Sequence, residues 1–186
     1  MRKVTVFNFI TLNGYSEGTH GDFSWHKHGA EESEYSAEGL KSGNILLFGR
    51  VTYEIMASYW PTENAITTFP IVAEGMNKAE KIVFSRTLKK AGWNNTRLVK
   101  DNIAEEIKNM KKMPGKDMTL LGSGSIVTQF AEQGLIDEYH IMVDPVVIGN
   151  GTTMFKDIKH KLDLTLTATR TFKSGAVILS YKPTEK

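Results

Sequence analysis

Cysteine is absent from this chain of 186 residues. That removes disulfides, thiolate nucleophiles and every Cys-based metal site. It fits a reducing cytoplasm, which is the expected location. Charge of one sign is also scarce: 23 Lys and Arg face 21 Asp and Glu, a net +2. So small an excess argues against nucleic acid or a membrane surface as the partner. No apolar run approaches membrane-spanning length, and no repeat, low-complexity tract or Pro/Gly/Ser linker interrupts the chain. The basic start "MRKVTVFNFITLNGY" has only a short apolar stretch, broken by Thr5, Asn8 and Thr11, and reads as a first strand rather than a leader. What remains is ordinary globular composition, 40% hydrophobic and 24% charged, long enough to bury a full core as one domain over residues 1–186.

Several segments carry clear periodicity. "KVTVFNF" (Lys3–Phe9) alternates and is a strand. Thr11–Gly29 is a long polar and aromatic loop with four glycines, of the kind that serves function. Ala30–Gly43 reads as a helix stopped by glycine. "NILLFG" (Asn44–Gly49) and "EKIVFS" (Glu80–Ser85) are short runs suited to strands buried on both faces. Arg50–Trp60 has helical spacing and ends at Pro61. "TRLVK" (Thr96–Lys100) is a weaker strand, and Asp101–Lys112 is an amphipathic helix that Asp101 could cap. Asp117–Gly122 is a strand, and Ser125–Gly134 a helix. Beyond it Asp137–Gly149, Asp163–Phe172 and Ala176–Lys182 are strand-like with no long helix between them. The expectation is an α/β domain with helices on both faces of a mostly parallel central sheet and an antiparallel C-terminal hairpin at one edge.

Ligands in such sheets bind beyond the carboxyl ends of the strands. Three turns lie there: Gly49-Arg50, Ser85-Arg86 and Gly122-Ser123-Gly124-Ser125. The last, within "LLGSGSIVTQF", fails the common templates. G-x-G-x-x-G needs glycine where Val127 stands, no Gly-Lys-Ser/Thr follows, and G-x-S-x-G has Gly124 at its centre. A general capacity survives: glycines that let a ligand approach the backbone, and N–H groups at a helix start that suit a pyrophosphate. A plain strand-to-helix corner explains the residues equally well. Arg50 could clamp a phosphate, or sit solvated on its helix, and Ser85-Arg86 suits the ribose phosphate that separates NADP from NAD, or is a surface loop. His26 and His28 form an H-x-H pair near Asp22, but no ligand cluster joins them, and no metal site is expected. His140 sits in a strand pattern.

The segments "NFITLNGY", "LLFGRVTYE", "KIVFSRT" and "KDMTLLGSGSIVTQFAEQGLIDEYHIMVDPVVIGNGTTMF" occur in an order and spacing that resembles a known family. It is the C-terminal reductase domain of the riboflavin-biosynthesis deaminase/reductase, which has the three-layer dihydrofolate-reductase-like fold. "GRVTYE" and the following Ser-Arg resemble dihydrofolate reductase itself more closely. The resemblance implies NADPH as cofactor and hydride transfer to a C=N or C=O bond of a small heterocyclic or ribosylaminopyrimidine substrate. It implies that Gly49, Arg50 and Thr52 face the cofactor phosphates and that Ser85 and Arg86 contact the 2′-phosphate. Gly122, Ser123, Gly124, Ser125 and Ile126 would hold the pyrophosphate, and Leu12, Asn13 and Gly14 would lie beside the nicotinamide. A homodimer is a family expectation. Three departures stand out. The family pattern has Asp at the position of Asn13, its zinc deaminase domain has no counterpart here, and the ribosyl-phosphate tail is not recognisable. For the acid that dihydrofolate reductase carries on the helix before "GR", Glu31, Glu32 and Glu34 are candidates, Glu34 at the nearest spacing; a solvated acidic helix face explains all three. Asp22 is a second candidate. A pterin reductase and a non-catalytic NADPH- or ligand-binding module are the alternatives.

Overall fold

The computed structural model describes residues 1–27 and 29–184. Eight strands form one sheet: β1 (Val4–Thr11), β3 (Ile45–Gly49), β4 (Lys81–Phe84), β5 (Thr96–Val99), β6 (Met118–Leu121), β7 (Glu138–Asp144), β9 (Leu164–Thr171) and β10 (Val177–Pro183). Their order is β5-β4-β3-β6-β1-β7-β10-β9. Every pairing from β5 through β7 is parallel, and β10 runs antiparallel to both β7 and β9. The expected parallel sheet and antiparallel C-terminal hairpin are therefore both present.

The sheet is covered on both faces. Helices α5 (Ile103–Lys112) and α6 (Gly124–Glu132) bury Ile107, Met110, Ile126, Val127 and Phe130 against Val4, Val6, Leu47, Ile82 and Leu120. On the other face α1 (Ala30–Lys41), α2 (Arg50–Tyr59) and α4 (Pro70–Lys78) pack with Phe48, Val83 and Trp93. Burying each large side chain this way stabilises the fold by about 1.5–3 kcal/mol. β3 and β4 are buried along their whole length, as their unbroken apolar runs required. Lys81 is the exception within β4. It is fully buried, and its ammonium donates to the carbonyls of Met76 (2.8 Å) and Ala79 (2.6 Å) at the end of α4, over the Trp93 ring.

Four features depart from the sequence reading. Thr11–Gly29 is not all loop: β2 (Tyr15–Gly18) pairs with β8 (Gly151–Thr153), and a short 3-10 turn follows. Two helices, α3 (Glu63–Thr68) and α4, occupy a stretch whose two prolines hide their periodicity. The strand expected over Asp137–Gly149 ends at Asp144, just before Pro145. Asp101 does not cap α5; Asn102 holds the cap position in a left-handed conformation, and Asp101 faces Arg86 at 3.5 Å. His28 lies outside the described residues. Among those described, no helix is long and apolar enough to cross a membrane.

Candidate active site

Parallel strands bring their carboxyl ends to one edge, so β3, β4, β6, β1 and β7 deliver Gly49, Ser85, Gly122, Thr11 and Asp144 to the same border. The turn after β6 is locked in place. Gly122 (φ 58°) and Ser123 (φ 59°) are both left-handed, a conformation that costs any residue with a Cβ. Ser123 Oγ accepts from Gly49 N (2.7 Å) and donates to the Leu121 carbonyl (3.0 Å), while Ser123 N donates to Thr52 Oγ1 (3.0 Å). A Cβ on Gly122 would stand 2.8 Å from Thr52 Cγ2. Thr52 and Ser123 thus spend their polar groups joining two turns.

What the turn leaves open is the start of α6. Ile126 N and Val127 N both donate to the Ser123 carbonyl. Gly124 N and Ser125 N have no partner among the described residues. They are the first two N–H groups of a nine-residue helix, where the helix dipole also favours an anion. Asn8 adds another donor. It lies on β1 one residue beyond the Phe7–Leu121 pairing, level with Gly122, and is 3% exposed. Its Nδ2 is buried with no hydrogen-bond partner among the described residues, which costs about 1–3 kcal/mol unless something fills the place.

The charged residues stand at the rim. Arg50, at the start of α2, is exposed and paired with Glu54 (2.9 Å). Arg86 is exposed beside Asp101. Both pairs are weak surface pairs that a polyanion could displace. Ser85 Oγ accepts from Thr87 N (3.2 Å) and Leu88 N (2.9 Å), so it fixes the turn that presents Arg86. Asn13 Oδ1 accepts from Thr11 Oγ1 (2.8 Å) and Ile148 N (3.3 Å), and its Nδ2 donates to the Ile148 carbonyl (2.8 Å). An aspartate could accept but not donate there, which explains the amide where the family pattern has an acid. Leu12 is exposed, its N–H held by the Val146 carbonyl (2.8 Å), and Gly14 N closes the turn onto the Thr11 carbonyl (2.9 Å).

The face of the sheet under α1 carries the remaining polar groups. Glu34 is exposed on the outer side of α1. Glu32, one of the three acidic candidates, is 2% exposed and accepts from Ser174 Oγ in the β9–β10 turn. The acidic helix thus has one inward carboxylate, two positions from the expected one. Asp22 is exposed, and hydrogen bonds from Ser24 N (2.9 Å) and Ser24 Oγ (3.1 Å) hold its carboxyl below the usual range. It remains ionised and is poorly suited to donate a proton. Tyr35 Oη meets His140 Nδ1 at 3.2 Å; burial pushes the tyrosine up and the histidine down.

One pairing had no signal in the sequence. His26 Nδ1 lies 3.1 Å from each oxygen of Asp144, and the imidazole stacks on Phe9 with ring centroids 4.0 Å apart. The two residues are 118 positions apart, and only the β1–β7 pairing, Thr11 opposite Asp144, brings the acid to this edge.

The RibD C-terminal domain matches residues 2–178. The chain belongs to the RibD C-terminal domain family. Within it, the chain is 33% identical over 180 residues to the uncharacterized protein YyaP of Bacillus subtilis (strain 168), covering 97% of this chain and 94% of that one. It is 24% identical to YwjB of the same organism, covering 97% of each. Among solved structures, the RibD-type fold recurs in a protein assigned to riboflavin biosynthesis from Shewanella sp. PV-4. The TM-score is 0.76 at 18% identity, over 98% of this chain and 99% of that one. It also matches the diaminohydroxyphosphoribosylaminopyrimidine deaminase/5-amino-6-(5-phosphoribosylamino)uracil reductase of Thermotoga maritima, with a TM-score of 0.69 at 15% identity. That match spans 98% of this chain and 57% of the longer Thermotoga chain. These likenesses place the chain in the dihydrofolate-reductase-like fold expected from its motifs.

Proposed function

We propose that the chain is an NADPH-dependent reductase that transfers hydride to a C=N or C=O bond of a small heterocyclic or ribosylaminopyrimidine substrate. The observation that carries this is the α6 start: two N–H groups without partners among the described residues, in a turn clamped by Thr52 and Gly49, with Asn8, whose amide is orphaned, on the neighbouring strand level with Gly122. These donors fit a dinucleotide. Gly124 and Ser125 N–H would take the pyrophosphate, joined by Arg50 from the rim. Arg86, on the turn that Ser85 fixes, would take the 2′-phosphate, and Leu12, Asn13 and Gly14 would flank the nicotinamide. The cofactor, when bound, supplies the hydride; the chain orients it and excludes water. Membership of the RibD C-terminal domain family and the reductase activity named for the Thermotoga neighbour support the same reading.

A pterin reductase is the second reading, favoured by Glu32, a buried carboxylate on the helix before Gly49-Arg50. The test is the loss of NADPH absorbance with a panel holding 5-amino-6-(5-phosphoribosylamino)uracil, 7,8-dihydrofolate and related heterocycles. Turnover of the first supports the main reading, and turnover of the second alone supports the other. NADPH binding without turnover of any compound would make the chain a binding module.

We also propose a homodimer in the cytoplasm. β9 is the sheet's edge strand and is exposed over most of its length, with Leu166 52% exposed. An unpaired edge of this kind can accept a strand from a second copy.

A further inference from the structure

Neighbouring strands whose chains leave to opposite faces open a crevice at their carboxyl ends, where ligands enter open α/β sheets. β6 is such a strand on both sides. It runs into α6, which packs on the face of Val4, Val6 and Leu120. β3 runs into α2 and β1 leads on to α1, and both of those helices lie on the other face. The β3 side is bolted by the bonds of Ser123 to Gly49 and Thr52. The β1 side is not. β1 stays paired with β7 as far as Thr11 and Asp144, but with β6 only as far as Phe7 and Leu121. Past that point no side-chain hydrogen bond joins the two strands among the described residues.

Asn8 is the first residue of β1 beyond that ladder. Side chains alternate along a strand. Val4, Val6 and Ile10 belong to the α6 face, Phe7 and Phe9 to the α1 face, so Asn8 belongs to the α6 face. Its neighbours there are apolar: Val6 and Ile10 on its own strand, and Ile141 opposite it on β7. None of these side chains can accept a hydrogen bond, and Nδ2 is sealed from solvent with no partner among the described residues. A leucine of similar size would fill the position without an unpaired donor, so folding alone gains nothing from an amide here. A ligand reaches the donor by widening the crevice on its unbolted side. With a pyrophosphate on Gly124 and Ser125, the nicotinamide half of the cofactor would run along β1 from Asn8 towards the Leu12–Gly14 turn. Leu12 is four residues further on, about 13 Å.

We propose that Asn8 is a specificity-determining residue of the β1–β6 crevice, donating from Nδ2 to an oxygen of the cofactor's nicotinamide mononucleotide half. The inference rests on the reductase reading above. It makes the unpaired amide a donor held ready for the ligand at the expense of the fold's stability.

The test uses the full chain and Asn8→Leu. Stability and affinity should move in opposite directions. The variant's melting temperature should rise by about 2 °C or more, because a buried unpaired donor is gone. Its NADPH affinity, read by calorimetry, should fall about tenfold, because a ligand oxygen loses its partner. In the parent, the Asn8 side-chain amide followed by NMR should shift on adding NADPH and stay in place with adenosine 2′,5′-bisphosphate. That spectrum decides alone if Asn8→Leu does not fold. A folded variant with a lowered melting temperature, as when an internal water ties the amide into the fold, overturns the proposal. So does unchanged NADPH affinity, or an Asn8 signal that NADPH leaves in place or that follows the adenosine fragment, and in these cases the reductase reading stands. A parent that binds no NADPH overturns both.

Discussion

Replacing Gly122 by alanine tests whether the turn after β6 is a built cradle. Two costs can be worked from the structure. The left-handed backbone at φ 58° penalises a Cβ by about 1 kcal/mol. The new carbon would stand 2.8 Å from Thr52 Cγ2 and 2.9 Å from Oγ1, so Thr52 must move and its bond from Ser123 N is lost, about 1 kcal/mol more. The sum is about 2 kcal/mol, or roughly 4–8 °C in melting temperature for a chain of this size. Gly134→Ala is the control. It has the same handedness (φ 62°) but nothing within 4 Å of the added carbon, so it should cost only about 1 kcal/mol. Thermal melts and urea titrations of both variants, with NADPH titrations alongside, make the comparison. Gly122→Ala should also weaken NADPH about tenfold, because the start of α6 shifts with the turn, and Gly134→Ala should leave it unchanged. Equal destabilisation by the two variants would show that the Thr52 contact does not hold the turn. Unaltered NADPH affinity in Gly122→Ala would remove the turn from the site.

Arg86→Ala should narrow the preference for NADPH over NADH, measured by competitive titration; an unchanged ratio would release Arg86 from the 2′-phosphate. Burial pushes the Lys81 ammonium down from 10.5 to about 8, so between those pH values the unfolded chain holds more protons and stability rises with pH. The gain is at most about 3 kcal/mol at 1.36 kcal/mol per unit, and urea midpoints across that range should rise more steeply in the parent than in Lys81→Met; parallel slopes would contradict it. Leu166→Lys, on the exposed edge strand β9, should convert a dimer to a monomer by light scattering without lowering the melting temperature of the monomer; a parent that is already monomeric would refute the edge pairing.

The parallel strands were legible because each is a short, strongly patterned segment. "NILLFG" and "KIVFS" can hardly be anything but buried strands, and the glycines around them mark the turns. The α3–α4 region was not, because Pro61 and Pro70 interrupt it and its apolar residues are sparse. β2 and β8 are three or four residues long and gain their pairing only through tertiary contact. The site divides in the same way. Glycines, serines and arginines near strand ends can be read as turn and rim residues from local sequence alone. Their hydrogen bonds cannot. Thr52 and Ser123 read as ligand contacts, whereas the structure has them bonded across 71 positions. Choosing Glu32 over Glu34 needs the rotation of α1, which an acidic helix with few apolar residues does not reveal. His26 and Asp144 meet only because β1 and β7 are neighbours, a fact of sheet order that no local pattern encodes.

The most direct measurement is equilibrium titration of the unmodified protein with NADPH and with NADH, without any substrate, read by calorimetry. The account predicts saturable binding of one NADPH per chain and weaker binding of NADH. Absence of binding, or equal affinity for the two, would contradict the dinucleotide site built from Gly124, Ser125, Asn8 and Arg86.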